Sequence, residues 1–273
     1  MGKASRSKTA TKQVNYGKER NWFPWIVTGI SIVMVVVITI FVILANQSNK
    51  PSEQASIAPQ GVVNDGYVVT AAGLDTSVPE QKVETTFEAS AYDSEQNSLA
   101  LYIDYACTHC ADFETNSFEQ VERWLEDGTL DSISIHPVTF LTAYSANAAN
   151  AVACVAQNDP SSLVEAHKVL MDNWDQSLNT KGILDALEEA GVNVTSELES
   201  CVRGTTYGDF VQKATERAAT GPVPASTIEA ISGTPTILLN GTRYPGDPAS
   251  ASDFNEFVLS NLQGDTIEET VTE

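Results

Sequence analysis

Leu99-Ala100-Leu101-Tyr102-Ile103 is a short, nearly continuous apolar run, which reads as a buried strand. Beyond it the period changes: Phe113, Phe118, Val121, Trp124 and Leu125 recur at helical spacing until Asp127-Gly128 ends the element. Apolar and polar residues alternate again over 130–140, predicting a second strand. From about Ser145 to Ala219 the pattern is helical, broken at Asp159-Pro160-Ser161 and Ala190-Gly191-Val192-Asn193. Helix starts are expected at Asn158 or Asp159 ahead of Pro160, and at Thr195 or Ser196 ahead of a run of acids. Thr236 to Leu239 returns to strand character, and Asn240-Gly241 before Thr242-Arg243-Tyr244 is a strong hairpin signal. A last amphipathic helix over Ser252 to Leu262 carries Phe254, Phe257, Val258 and Leu262, and the acidic tail after Gly264 is expected to fray. Weaker β-type runs precede all of these at Tyr67 to Thr70 and Val83 to Ala89. Strand, helix, strand, helical block, hairpin, helix is the order of an α/β domain: a mixed sheet flanked by helices, with the helical block inserted as a subdomain.

The amino-terminal segment has a different character. Lys3, Arg6, Lys8, Lys12, Lys18 and Arg20 stand against the single acid Glu19, and an apolar run follows from about Trp25 to Leu44. About twenty helical residues span roughly 30 Å, the thickness of a bilayer core, so the run predicts one transmembrane helix. The basic flank assigns residues 1–24 to a cytoplasmic tail and the chain beyond residue 45 to the extracytoplasmic side, with Trp22, Phe23 and Trp25 as an interfacial anchor. The competing reading is a cleaved signal peptide, since Ile43-Leu44-Ala45 loosely resembles a cleavage site. The run is long for a signal h-region, which favours an uncleaved signal anchor over 25–45. Residues 46–80 then form an extracytoplasmic linker and edge segment, rich in Ser, Gln, Asn, Pro and Gly up to about residue 66. The domain proper is 81–273, with its helical insertion at about 141–225.

Charge follows this division. The chain of 273 residues has a formal net charge of −21, and only nine of its fifteen Lys and Arg lie beyond residue 45. A strongly acidic outer domain excludes nucleic acid as a partner, because phosphate binding needs clustered Lys and Arg. Placement outside the cytoplasm permits stable disulfides, which gives weight to the four cysteines.

Two of these form Cys107-Thr108-His109-Cys110, where the apolar strand gives way to the helical pattern. A cysteine at a helix start meets free amide N–H groups and the positive end of the backbone dipole, which favour thiolate over thiol. Since the thiolate is the attacking species in disulfide exchange and Cys110 lies one turn further on, the pair can store and release two electrons. A structural zinc site would need a second pair of ligands at similar spacing, and Cys154, Cys201, His136 and His167 are scattered. His109 is placed to donate a hydrogen bond to the Cys107 thiolate. Asp104 and Asp112 flank the motif and are read as solvated loop and helix-start acids. Asn193-Val194-Thr195 and Asn240-Gly241-Thr242 match the glycosylation pattern and are assigned no function.

Ile103-Asp104-Tyr105-Ala106-Cys107-Thr108-His109-Cys110-Ala111-Asp112-Phe113, joined to Gly233-Thr234-Pro235-Thr236-Ile237-Leu238-Leu239-Asn240-Gly241, resembles the DsbA-like thioredoxin-fold oxidoreductases, especially the membrane-anchored members of Gram-positive actinobacteria. The resemblance covers most of the outer domain. It implies a thioredoxin-like sheet, a dithiol enzyme without a cofactor or metal, and a cis bond at Thr234-Pro235 facing the dithiol, with Thr234, Pro235 and Thr108 meeting the substrate. The roughly 125 residues between the motifs fit the family's helical insertion. Cys154 and Cys201 within it resemble the second, structural disulfide of some actinobacterial members, against the alternative of two free buried cysteines. The implied activity is oxidation of exported proteins with reduced cysteines, followed by reoxidation by a quinone-linked membrane oxidase of the DsbB or vitamin K epoxide reductase type. Two departures stand out: the dipeptide is Thr-His where Pro-His is commonest, and the position six before Cys107, acidic in some relatives, is Leu101. Because the dipeptide helps set the reduction potential, a reductase or isomerase of the same fold remains the alternative. A third reading is a metal-binding or interaction module that uses Cys107, His109 and Cys110 as ligands.

Overall fold

The computed structural model describes residues 56–83, 96–176 and 178–263, and in it the run around Leu101 becomes the central strand of a mixed sheet. The chain enters through five short strands: β1 (Ser56–Ala58), β2 (Val62–Val63), β3 (Gly66–Thr70), β4 (Gly73–Leu74) and β5 (Gln81–Val83). Next come β6 (Ser98–Ile103), α1 (Thr108–Phe113), a π-helical turn (Glu114–Phe118), α2 (Glu119–Asp127) and β7 (Ser132–Pro137). The helical block is α3 (Ala143–Asn158), a 3-10 turn (Pro160–Ser162), α4 (Leu163–Asp172), α5 (Thr180–Glu189), α6 (Ser196–Gly204) and α7 (Gly208–Thr220). The domain closes with β8 (Thr236–Leu239), β9 (Thr242–Arg243) and α8 (Ala251–Ser260).

Among the described residues the main sheet runs β2-β3-β7-β6-β8-β9, with β4 on β3, and β1 and β5 pair separately. The β6–β7 pair is parallel, and β6 meets β8 antiparallel. Its register sets Leu99 beside Ile133 and Leu239, and Leu101 beside Ile135 and Ile237. One face is therefore a continuous aliphatic surface, and it shares a core with Phe113, Phe118, Val121 and Phe254. Phe254 closes that core by meeting Phe113 edge-on at 5.0 Å and Trp124 at 5.8 Å. A smaller core on the opposite face gathers Tyr102, Val138, Val223, Ile231 and Leu238.

Local signals in the sequence account for most boundaries. Gly128 ends α2 in the left-handed region at φ 78°, which a Cβ would disfavour. Thr195 caps α6 by accepting from the Leu198 N–H, and Thr142 and Ser145 form a capping box at α3. Asn240 and Gly241, at φ 53° and 73°, make the two-residue turn between β8 and β9. The Asn240 side chain also accepts from the Ser98 N–H at 2.9 Å, which pins the hairpin to the start of β6. Since nearly every side of α3 is buried, its many alanines let α4, α6 and α7 pack closely around it.

Several expectations shift. The strand placed at 130–140 is confined to Ser132–Pro137, and the last helix starts at Ala251, with Ser250 as its cap. The helix after the dithiol is interrupted by the π turn, which apolar spacing does not reveal. Of the run Val83 to Ala89, only Val83 is described, as the last residue of β5. The transmembrane segment placed at 25–45 lies outside the described residues, and no helix among those described is long and apolar enough to cross a membrane.

Candidate active site

Cys107 is the residue before the first turn of α1, with extended backbone at φ −94° and ψ 119°. At this position a side-chain acceptor normally satisfies the free N–H groups of the second and third helical residues. Here no side-chain cap bond forms: the Cys110 N–H donates to the Cys107 carbonyl at 3.1 Å, and the backbone N–H groups of His109 and Cys110 lie close enough to the sulfur to favour its thiolate. Cys107 is 8% exposed, enough for an incoming sulfur to reach it, whereas Cys110, on the inner side of α1, is 1% exposed. The difference separates their chemistry. A hydrogen bond from the Cys110 thiol, helped by the Thr234 side chain and the two N–H groups, outweighs burial and pulls the Cys107 pKa down from 9.0 to about 5. Burial first, and then its donation to Cys107, push the Cys110 thiol far above its ordinary value. In the reduced protein Cys107 is the nucleophile and Cys110 the proton-bearing partner.

Thr234 and Pro235 lie directly across the site. The peptide between them is cis, and the Thr234 carbonyl oxygen is 3.3 Å from Cys107 Sγ, accepting from it when it is a thiol. Beside them opens a cleft of about 460 Å³ whose walls include His109, Thr234, Pro235, Ile237, Arg243 and Tyr244. An extended peptide lying in this cleft would pass next to Cys107. Thr108 is exposed at the start of α1, on the solvent side of the dithiol.

Cys154 and Cys201 are joined in a disulfide that fastens α3 to α6, and Cys107 and Cys110 are free thiols. The sequence leaves the state of the insertion cysteines open apart from the family resemblance; the structure joins them.

Two expectations are corrected. The His109 side chain is 71% exposed and its Nδ1 lies 3.5 Å from Asp112, so it does not donate to Cys107; what His109 contributes is the nearness of its backbone N–H, which favours the thiolate. The helix geometry turns the side chain of its second residue outward while its N–H stays near the sulfur. Asp104 is not a solvated acid: it is 0% exposed. Its carboxylate accepts from the N–H groups of Ala106, Phe140 and Leu141 at 2.9, 2.7 and 3.1 Å and from the Ser145 hydroxyl. It therefore locks the turn before the dithiol to the start of the insertion. The Leu101 position is filled by core packing at the centre of β6. Among the described residues no group of three or more His, Cys, Asp or Glu side chains converges as a metal site, Cys107, His109 and Cys110 included.

Three residues near the site receive no role from the sequence, although Tyr105 stands within the motif that carries the resemblance. Tyr105 and His167 meet in a buried hydrogen bond, and His167 also reaches Glu114. Only the position of Tyr105 and Glu114 on either side of the CxxC motif hints at them.

The thioredoxin family model matches residues 94–259. Comparison with curated proteins gives no match. Among solved structures, the chain is similar to the thiol-disulfide oxidoreductase MdbA from Actinomyces oris, with 22% identity over 77% of this chain and 98% of that one and a TM-score of 0.53. It is similar to BdbD from Bacillus subtilis at 19% identity, over 77% and 100% of the two chains, with a TM-score of 0.54. DsbA from Mycobacterium tuberculosis matches at 20% identity over 72% and 94%, with a TM-score of 0.50.

Proposed function

The chain belongs to the thioredoxin family, and from that footing we propose that it is a membrane-tethered thiol-disulfide oxidoreductase that introduces disulfides into exported proteins. The observation that carries this reading is the asymmetry of the dithiol: Cys107 held as a thiolate at about pKa 5 against Thr234, a residue of the cleft wall, and Cys110 sealed behind it as a thiol. A stabilised Cys107 thiolate is a good leaving group and lowers the energy of the reduced protein, so the disulfide form is a strong oxidant.

In the reaction, a client thiolate attacks Cys107 Sγ of the Cys107–Cys110 disulfide. The new client–Cys107 bond forms as the old bond breaks, and Cys110 leaves with the electron pair and takes up a proton from water. A second client thiolate then attacks the client sulfur, the client disulfide forms, and Cys107 departs as a thiolate that needs no proton. The cleft beside Thr234 and Pro235 holds the extended client segment. Two electrons remain on the dithiol, and a quinone-linked membrane oxidase of the DsbB or vitamin K epoxide reductase type removes them. The apolar run at 25–45 and its basic flank support tethering with the catalytic domain outside the cytoplasm. The names of similar solved proteins, MdbA, BdbD and DsbA, support the reaction type.

Equilibration with glutathione tests the direction. A potential near about −120 mV is expected for an oxidant of this kind, whereas one near about −270 mV belongs to a thioredoxin-like reductant and would reverse the proposal. A Cys107→Ser chain that still oxidised a reduced model protein at the parent rate would also end it.

A further inference from the structure

Behind the dithiol lies a chain of three buried ionisable side chains that the exchange reaction does not consume. Tyr105 Oη is 3.0 Å from His167 Nδ1, and His167 Nε2 is 3.2 Å from Glu114 Oε2. Tyr105 and His167 are fully buried and the Glu114 side chain is nearly so. A single neutral tautomer satisfies both contacts, with Nδ1 accepting from the phenol and the Nε2 hydrogen donated to the carboxylate. Glu114 Oε1 is buried with no partner. Keeping a carboxylate inside for one partner is costly, and such a group calls for an explanation.

Connectivity supplies it. Tyr105 lies in the turn that leads from β6 into α1, two residues before Cys107. Glu114 opens the π turn, and its backbone N–H ends α1 by donating to the carbonyls of Ala111 and Cys110. His167 stands on α4 of the insertion. The short helix that carries both sulfurs is thus tied at its two ends to one imidazole on a separate element, with the rings of Tyr105 and Phe118 flanking that imidazole. The other titratable or charged groups acting on the chain are Tyr67, Tyr144 and Cys110 around Tyr105, and Lys168 near Glu114. A π turn is rare and concentrates at functional positions; this one sets Glu114 where it serves the end of α1 and His167 together.

We propose that Tyr105, His167 and Glu114 are positioning residues that hold Cys110 against Cys107, and so govern how fast the pair closes its disulfide. The proposal rests on the oxidoreductase reading. In the step concerned, Cys110 loses its proton to water and its thiolate attacks Cys107 Sγ of a mixed disulfide. The Cys107–Cys110 bond forms as the bond from Cys107 to the outside sulfur breaks, and that sulfur leaves with the electron pair and is protonated by water. Ring closure of this kind depends steeply on the placement of the two atoms.

The test uses the full chain with glutathione as the outside thiol: the mixed disulfide is formed at Cys107, and release of glutathione on ring closure is timed. Tyr105→Phe, which keeps the ring and loses only the hydroxyl, and His167→Leu should each slow release at least tenfold. His167→Gln, whose amide offers one acceptor and one donor, should recover the rate to within about threefold of the parent, a rescue that packing alone does not explain. The pH midpoint of Cys107 alkylation should rise in Tyr105→Phe and His167→Leu, because a displaced Cys110 no longer donates to the Cys107 thiolate, and should return toward the parent value in His167→Gln. Release within twofold of the parent in folded Tyr105→Phe overturns the proposal, even if that chain is less stable. Equal losses in His167→Gln and His167→Leu overturn it as well, and if His167→Leu does not fold, Tyr105→Phe alone decides. A parent chain that forms no mixed disulfide with glutathione overturns the oxidoreductase reading itself, and this proposal with it.

Discussion

Cys107 Sγ lies 3.3 Å from the carbonyl oxygen of Thr234, a residue 127 positions further along the chain. Two segments, one ending a central strand and one entering its antiparallel neighbour, are brought together by the β6–β8 pairing. This contact places the reactive sulfur beside the backbone that a client polypeptide would meet. It also makes the loop part of the electrostatics of the thiolate, since the Thr234 side chain helps hold the Cys107 pKa down.

Alkylation of Cys107 in the reduced chain should therefore follow a pH midpoint near 5. Thr234→Val, which keeps the shape and removes the hydroxyl, should raise that midpoint. The rate of iodoacetamide modification against pH measures both. A midpoint near the ordinary thiol value of 9.0 in the parent chain would contradict the geometry.

The same shift fixes how stability depends on pH. A pKa lowered by folding stabilises the reduced protein fully above the unfolded value, about 9, and the contribution is lost as pH falls toward about 5. Cys110, shifted upward, changes its contribution only above the ordinary thiol value. Between about pH 5 and 9 the reduced chain should gain stability relative to the oxidised chain as pH rises. Urea unfolding of the two forms at several pH values reads the difference, and a stability of the reduced chain minus that of the oxidised chain that falls with rising pH would refute the assignment.

Removal of the Cys154–Cys201 disulfide should act on stability alone. It closes a loop with a sequence separation of 47 between α3 and α6, worth about 4 kcal/mol in the chain-entropy account. A chain with Cys154→Ala and Cys201→Ala should unfold at a much lower urea concentration while its Cys107 alkylation midpoint is unchanged.

Asp104→Ala should be among the most damaging single changes near the site. It strands the N–H groups of Ala106, Phe140 and Leu141 and the Ser145 hydroxyl, for a loss of about 3–5 kcal/mol. Asp104→Asn keeps one acceptor oxygen and should lose less. Thermal unfolding of both variants gives the order; equal stability to the parent would mean that the buried carboxylate is not what joins the two loops.

The elements whose signals are local were legible in the residues. The apolar run at 99–103, the glycine stop after Asp127, the caps at Thr195 and the Asn240-Gly241 turn each depend on backbone preferences within a few residues, and all became the expected structure. The CxxC motif belongs with them, because a cysteine at the first turn of a helix meets free N–H groups whatever surrounds it.

Tertiary packing decided which polar groups went inside. Nothing near Asp104 in the chain distinguishes a solvated acid from a buried one; its partners at Phe140, Leu141 and Ser145 arrive only when β7 pairs with β6. His109, beside the sulfur in sequence, faces water, while His167, 62 residues from Tyr105, lies behind the dithiol. The amino-acid sequence determined the reactive pair and the order of elements from β6 onward, since these follow from period, turn chemistry and the thiol itself. The loop at Thr234 and Pro235 was implied by the family resemblance, and the strands within 56–74, read as linker and edge segment, join the fold only through pairing with distant partners. Only the folded chain settled the burial and hydrogen-bond partners of Asp104, Tyr105, Glu114 and His167, because a buried polar group is satisfied by elements far away along the chain.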